Sequence, residues 1–276
     1  MIRKLFVFSL IIFISSGCLL HDEEYDVFAE DYDTLSWDFQ NTNILEVSAV
    51  NGDISVYPNN RKTLDAVFYR RCWGTSLEDA EAHLKDIRLV ESISGTTFSL
   101  DAEIPGEDRN YVASFNFEAP DSIFIYFFII NGYLLAEKVA SDLKFRAQTG
   151  SLETKLVTGN IDLEIITGGV SVQDHEGDVR VVTSTGQVYC SMYEIHLDQN
   201  IDIQTGIGGV TLEVPSDASF TFEISTTVGK MYLTGFDDIS YEREELYYRS
   251  GEVNGGEANI HIRCTSGSIN IKAFER

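Results

Sequence analysis

The chain has 276 residues, of which 44 are Asp or Glu and only 20 are Lys or Arg, so its formal net charge is −24. A surface this acidic repels phosphate groups, which excludes nucleic acid as an expected partner. Because 43% of the residues are hydrophobic, the chain can still bury a sizeable core.

Residues 1–17 have the composition of a bacterial export signal. Two basic residues precede an apolar run over residues 5–14, which is too short to span a bilayer about 30 Å thick. Small residues then lead directly to Cys18, as in the bacterial lipobox, although Ser15 stands where leucine is usual. We therefore expect a lipoprotein signal peptide over 1–17 and a membrane anchor made by acyl chains on Cys18.

The acidic stretch over residues 18–34 lacks an apolar period, which predicts a solvated tether between the anchor and the folded part. Leu19 follows the cysteine, where an aspartate would resemble an inner-membrane retention signal. The expected location is therefore the bacterial cell envelope, with the outer membrane or cell surface favoured over the inner membrane.

Residues 35–120 predict a smaller N-terminal β region with one short helix. Asn51-Gly52 stands between apolar alternating residues, a pattern that indicates a β-hairpin. Ser76 and Asp79 form a capping box, and the apolar spacing after them predicts a helix to about Arg88. Strand patterns follow at 88–93, 97–100 and 111–117.

The run Ile123–Ile130 is the most hydrophobic stretch outside the signal, and Asn131-Gly132 ends it before it could span a membrane. It predicts a strand buried on both faces where the N-terminal region meets the repeats. An exposed patch that touches a membrane is the alternative.

Five glycines at an unbroken nine-residue interval dominate the next segment: Gly150, Gly159, Gly168, Gly177 and Gly186. Apolar residues on alternate sites follow most of them, as in a repeat fold whose glycines form the corners. A five-residue strand plus a four-residue corner makes one side of a flattened coil, and two sides make an 18-residue turn. We therefore predict an all-β protein with a parallel, single-stranded β-helix-like solenoid over 121–276. An antiparallel meander with a hairpin at each glycine is the alternative.

The period loosens after Gly186. A charged segment over 237–245 is expected to loop out, and residues 259–271 restore the repeat at the C-terminus.

Short phrases of Thr, Ser and Gly before an Ile or Val carry a resemblance to a known family. They read Thr-Ser-Thr-Gly-Gln-Val at 183–188 and Cys-Thr-Ser-Gly-Ser-Ile at 264–269. They resemble a family of bacterial envelope proteins of unknown function that are called "putative adhesins". The resemblance covers roughly residues 44–276 and implies a β-solenoid or β-roll on an exported or anchored protein. It implies no catalytic residues.

The residues that most often carry chemistry do not form a recognisable site. Cys72, Cys190 and Cys264 lack the CxxC spacing of a zinc site; at most one pair can form a disulfide, and buried or edge-strand thiols are the simpler reading. The aspartates do not recur at one register of the repeat, so no ladder of calcium ligands forms. His196 and Asp198 lack a third metal ligand and predict a solvent-facing pair.

No nucleophile elbow, Walker-type loop or dinucleotide-binding phrase occurs in the sequence. We therefore expect no enzyme activity, no cofactor and no metal.

A late segment mixes aromatic and basic residues as interaction surfaces do. The candidates are Tyr241, Arg243, Tyr247, Tyr248 and Arg249. A packed cap over the last coil is the alternative reading, since the open end of a solenoid has to be covered.

These features together predict an envelope lipoprotein that acts as a non-catalytic, adhesin-like binding or structural module. Its partners would be the membrane, through the anchor, and an envelope protein or a glycan. A regulatory or sensor subunit of an envelope-stress system is the first alternative. An enzyme acting on polysaccharide is the second.

Overall fold

The computed structural model describes residues 27–106, 110–121 and 123–275, which form an almost entirely β structure with the single helix α1, Leu77–Leu84. The first nine strands are β1 Val27–Asp38, β2 Ile44–Asn59, β3 Thr63–Gly74, β4 Arg88–Ser94, β5 Thr97–Glu103, β6 Tyr111–Pro120, β7 Phe124–Glu137, β8 Leu143–Lys155 and β9 Ile161–His175. The other ten are β10 Val179–Thr185, β11 Val188–Met192, β12 Asn200–Ile207, β13 Val210–Pro215, β14 Phe220–Val228, β15 Met231–Thr234, β16 Ile239–Glu244, β17 Tyr248–Val253, β18 Ala258–Ser266 and β19 Ile269–Phe274.

The strands stack into a flattened coil with two walls. Wall A runs in the order β4, β5, the first halves of β2, β7, β8 and β9, then β10, β12, β18, β14, β17 and β16. Wall B runs in the order β1, β3, β6, the second halves of β2, β7, β8 and β9, then β11, β13, β19 and β15. The strands in the middle of both walls are parallel, which confirms the solenoid and excludes the meander.

The register of the coil is the predicted 18 residues where the glycine period is unbroken. On wall A, Leu143 pairs with Ile161, and Ile161 pairs with Val179. On wall B, Val170 pairs with Val188. Successive nine-residue units therefore alternate between the walls, and their valines face one core from opposite sides.

Stacking begins at β2, inside the predicted N-terminal β region, because Gly52 pairs with Gly132 of β7. The predicted hairpin at Asn51-Gly52 is therefore wrong: β2 is one continuous strand that bends there. The Asn-Gly pair bends β2 at the same corner at which Asn131-Gly132 bends β7. Asn131 Nδ2 donates to Asn51 Oδ1 over 2.9 Å, which holds the two corners together.

The core lies between the walls and is aromatic at its N-terminal end. Phe127 stacks on Phe145 with ring centroids 5.2 Å apart, and the same inward column continues as Leu163 and Val181. The run at 123–130 buries Ile125, Phe127 and Ile129, whereas the alternate residues are partly exposed. The prediction of a strand buried on both faces is thus wrong, because only the inward side of β7 meets the core.

The N-terminal end of the coil is closed by strands that pair antiparallel. Residues 27–34, which the sequence assigned to the tether, lie in β1 and pair with β3. Arg70 of β3 makes this possible, since its guanidinium lies 3.0 Å from both Asp31 and Asp33 and compensates their charge. Ser76 caps α1 as predicted, but the helix ends at Leu84 because the chain enters β4 at Arg88.

The C-terminal end departs from the order of the chain. The strands β18 and β19 lie between the β12–β13 turn and the β14–β15 turn, not at the end of the rod. Their inward isoleucines need a neighbour on both sides, which an inner position supplies. Most of the charged segment 237–245 is not a loop, because β16 pairs with β17 in a hairpin on the edge of wall A.

Candidate functional site

The outer surface in the middle of wall A carries a lattice of acidic and basic side chains that pair with one another. Lys144, Asp162, Arg180 and Asp202 follow one another on neighbouring strands, so opposite charges face each other. Arg180 Nη1 lies 2.7 Å from Asp162 Oδ1, and Arg146 binds the other carboxylate oxygen. Burial alone would raise the pKa of Asp162, but these two guanidinium groups outweigh it and lower the pKa below its usual value. The charge on this middle part of wall A is therefore largely compensated within the protein.

The outer surface of wall B has a different character, because a groove of about 540 Å³ crosses it. The side chains and backbone that line it are uncharged except for one carboxylate. They include Tyr133, Ser151, Glu153, Gly169, Ser171, Gln187, Tyr189, Gly209, Thr211, Ser268 and Asn270. These residues lie on β7, β8, β9, β11, β13 and β19 or directly before these strands, so the groove runs along the rod across five strand spacings, about 24 Å.

The floor of the groove is low where small residues occupy outward positions directly after the corner glycines. Ser151 and Gly169 are two of these, and Tyr133 precedes them in the same column on the neighbouring strand. The paired glycines Gly168-Gly169 and Gly208-Gly209 therefore have separate tasks: the first forms the corner, and the second opens the surface. A Cβ on Gly169 would meet only the carbonyl oxygen of Gln187, at 3.8 Å, so the space above Gly169 is open.

Two tyrosines flank this floor, and each bonds a carboxylate. The Tyr133 hydroxyl donates to Glu153, and the Tyr189 hydroxyl donates to Glu213 Oε2 over 2.9 Å. Burial and the neighbouring carboxylate raise the pKa of both hydroxyls. The rings are therefore held in place as neutral, amphipathic surfaces, an arrangement suited to stacking against a ligand that also offers hydroxyl groups.

Two of the five sequence-predicted interaction residues lie at the end of the core. The Tyr241 ring packs edge-on against Phe222, with centroids 5.7 Å apart. Arg249 lies opposite Ile224, and its Nη1 donates to the backbone oxygen of Met231 over 3.0 Å. Because Met231 belongs to wall B, Arg249 ties the two walls together. These placements agree with the alternative reading of a packed cap.

The other three predicted residues lie further along the hairpin of β16 and β17, at or next to its tip. Arg243 lies over the Tyr248 ring at 4.6 Å and pairs with Glu245 over 2.6 Å. Tyr247 is 51% exposed, next to Leu246 at the tip of the hairpin. The five residues thus divide into a cap pair, a stacked pair and one exposed ring. A depression of about 460 Å³ beside them carries Glu223, Glu242 and Glu252.

The cysteines and histidines do not gather into a metal site. Among the described residues, no three His, Cys, Asp or Glu side chains are placed to hold a metal ion. Cys190 and Cys264 are buried thiols, and burial raises the pKa of Cys190 to about 12, which makes it unreactive. His196 and Asp198 are both exposed, in the loop between β11 and β12.

The predicted lipidation site, Cys18, lies outside the residues that the structure describes. Within the described part of the chain, there is no helix with the length and apolar character needed to cross a membrane.

Sequence reasoning missed the groove, although one signal was present. Two consecutive glycines occur at 168–169 and again at 208–209, although one glycine is enough to form a corner. Once register is known, the second glycine of each pair lies on the outside, next to serines and between tyrosines. The meaning of the second glycine could not be deduced from the sequence alone, because the residues beside it on the groove floor become its neighbours only through the 18-residue register.

A two-walled parallel β-solenoid belongs to the class of proteins built from stacked structural repeats. The chain is a member of the Toastrack DUF4097 family, whose sequence profile matches residues 32–272. No curated protein is similar enough in sequence to count as a match.

Several solved structures resemble this chain at low identity. A "putative cell adhesion protein" from Clostridium sporogenes has 12% identity and a TM-score of 0.42, over 89% of this chain and 100% of that one. A "putative adhesin" from Bacteroides fragilis has 10% identity and a TM-score of 0.46, over 87% and 97%. A "putative adhesin" from Parabacteroides merdae has 9% identity and a TM-score of 0.29, over 87% and 95%.

Proposed function

We propose that this protein is a lipid-anchored, non-catalytic binding module of the bacterial cell envelope whose wall-B groove takes an extended, uncharged glycan. The observation that carries the proposal is the groove, which offers tyrosine rings, hydroxyls and amides over about 24 Å of the rod. Sugar rings have apolar faces edged by hydroxyls, and a surface of this mixed kind matches them.

The net charge of the chain favours a neutral glycan over an acidic one. A net charge of −24 repels acidic polymers at a distance, and a neutral chain avoids that cost. The charge lattice in the middle of wall A is a poorer candidate because its charged groups already pair with one another, as Arg146 does with Asp162 and Glu164. The groove contains no nucleophile and base arranged for catalysis among its described lining residues, so the proposal is one of binding only.

The location follows from the N-terminal residues rather than from the fold. A signal-like segment that ends at Cys18 supports export and acylation, and the leucine after the cysteine supports the outer membrane or surface. Incorporation of a palmitate analogue into the wild-type protein, and its loss in Cys18→Ala, would test the anchor independently of the groove.

The binding role is tested with the purified protein on an array of neutral and acidic glycans. We expect saturable binding to neutral chains, reduced in Tyr189→Ala because the ring stands on the groove. Tyr232→Ala is the matched control: Tyr232 lies in the same outward column and is similarly exposed, at 43% against 36% for Tyr189, but it lies beyond the groove. Equal loss in both variants, or binding only to a protein partner, would contradict the proposal.

A further inference from the structure

The strands next to the predicted anchor carry an unusual outer surface, which we call the aromatic face. It consists of Phe28 and Tyr32 on β1 together with Val67, Tyr69, Arg71 and Trp73 on β3. The register places Phe28 opposite Trp73 and Tyr32 opposite Tyr69. Phe28, Tyr32 and Val67 are 38%, 42% and 41% exposed, so the face is open to its surroundings.

The rings of the aromatic face gather around one guanidinium group. The Arg71 guanidinium lies 4.5 Å from the Phe28 ring centroid and 5.4 Å from those of Tyr69 and Trp73. Arg71 Nη2 also lies 2.8 Å from Glu30 Oε2, and the Tyr69 hydroxyl donates to the same carboxylate. The single positive charge is thereby compensated, so the face is amphipathic but locally neutral.

We infer that the aromatic face rests in the headgroup region of the membrane that holds the acyl anchor, an inference that rests on the proposed lipidation of Cys18. Only eight residues lie between Cys18 and Val27, the first residue of β1, so nine steps along the chain join the two. At 3.3–3.6 Å per residue, the chain between them reaches at most about 30 Å. The end of the rod that bears the aromatic face is therefore kept close to the bilayer.

The chemistry of the face fits a lipid interface. Trp, Tyr and Arg are amphipathic side chains that lie at the boundary between hydrocarbon and headgroups. A locally neutral face suits zwitterionic headgroups, whereas the acidic protein as a whole is repelled by anionic ones. The acyl chains hold the protein at the membrane, and the aromatic face gives the rod a fixed orientation upon it.

This orientation leaves the groove accessible. The aromatic face lies on β1 and β3, the two terminal strands of wall B, and the groove begins at Tyr133 on β7, three strand spacings beyond β3. Three spacings amount to about 14 Å, so contact limited to β1 and β3 keeps the groove clear of the lipid.

The two tryptophans of the chain allow a direct test. In the lipidated protein carrying Trp37→Phe, Trp73 is the only tryptophan. We reconstitute this variant into phosphatidylcholine vesicles, with and without bromine on the acyl chains, and measure fluorescence. The inference predicts that Trp73 emission shifts to shorter wavelength and is quenched by the brominated lipid, and that adding Phe28→Ser weakens the quenching. Circular dichroism would verify that each variant is folded.

A matched control places the probe at the other end of the rod. The variant Trp37→Phe/Trp73→Phe/Tyr232→Trp carries one tryptophan on β15, and its emission should be the same in both kinds of vesicle. Protein that floats with vesicles while Trp73 stays unquenched would overturn the inference and leave the anchor standing. Trp73 shielded from aqueous iodide but not quenched by the brominated lipid would instead indicate a second copy of the chain on this face, and would also overturn it. Wild-type protein that neither floats nor incorporates palmitate would overturn the anchor and the inference together.

Discussion

Gly168 lies directly over Gly150, so closely that a Cβ on Gly168 would overlap the Gly150 carbonyl oxygen. The same relationship recurs along one corner of the rod. The column consists of Gly52, Gly132, Gly150, Gly168, Gly186, Gly208, Gly267 and Gly229. Each later member leaves no room for a side chain above the carbonyl of the glycine before it in the column. The two walls can therefore meet at this corner only while the column remains glycine.

Substitution of this column tests the corner. Gly168→Ala adds a Cβ that overlaps backbone and imposes a φ of +140° on a residue that disfavours it. We expect the free energy of unfolding, measured by urea denaturation, to fall by more than about 3 kcal/mol. Gly169→Ala is the adjacent control, since its Cβ has ordinary contacts, and should change stability by less than about 0.5 kcal/mol. Equal effects would contradict the stacking.

The buried histidine His175 predicts a dependence of stability on pH. The ring is fully buried at the end of β9, and this burial lowers its pKa to about 4, with only partial opposition from the backbone of Asp178 and Val157. In the unfolded chain the histidine has its ordinary pKa of 6.5, so it binds a proton more readily there than in the fold. The free energy of unfolding therefore falls as the pH drops from 6.5 towards 4. The loss amounts to about 2 kcal/mol at pH 5.

The measurement compares wild type with His175→Met at pH 7.5 and pH 5. Carboxylates become protonated in both proteins and lower the stability of both. The contribution of His175 is therefore the difference between the stability losses of wild type and variant. The variant should lose about 2 kcal/mol less than wild type between the two pH values. His196→Ala, at an exposed site, should follow wild type. A variant that tracks wild type would mean that His175 is already protonated, or solvated, in the fold.

The bridge made by Arg249 predicts that it stabilises the C-terminal end of the rod. Arg249→Met keeps the packing of the long side chain but removes the hydrogen bond to Met231, which should cost about 1–2 kcal/mol. Hydrogen exchange at β15 should become faster, because that edge strand would lose its tie to wall A. Arg243→Met, at an exposed ion pair, should leave unfolding unchanged. Similar effects of the two variants would contradict the bridge.

The charge lattice on wall A predicts a salt-dependent contribution. Asp162→Asn removes the partner that Arg146 and Arg180 share, which should destabilise the fold by about 1 kcal/mol in dilute buffer. At 1 M salt the Debye length is about 3 Å, so the difference between variant and wild type should shrink. Thermal unfolding at both ionic strengths measures it, and an effect that salt leaves unchanged would point to packing instead of charge.

The repeat itself could be predicted because its cause is local. A side-chain-free corner every nine residues, followed by alternating apolar residues, leaves few ways to bury Val170 and Val188 other than a two-walled coil. The order of the last turns is different in kind. The position of β18 between β12 and β14 depends on which strands pack best against one another. No local feature of residues 259–271 indicates which neighbours β18 will have.

Predictions from local sequence were also wrong where the same short sequence pattern is compatible with two different structures. Asn51-Gly52 has the sequence of a hairpin, but its stacking against Asn131-Gly132 makes it a coil corner. The acidic residues at 30–33 suggest a tether when read alone, because their compensating arginines lie some 40 residues later, in β3. Partners that are distant in sequence decided both cases.

The central claim is that the wall-B groove is the binding surface, and Gly169→Tyr tests it most directly. The site has open space and no positive φ, so a large side chain fills the groove without disturbing the corner. With a neutral glycan that binds wild type, titration calorimetry of Gly169→Tyr should show binding abolished, while Val182→Tyr on the outer surface of wall A binds as wild type does. Unchanged affinity in a folded Gly169→Tyr protein would contradict the account.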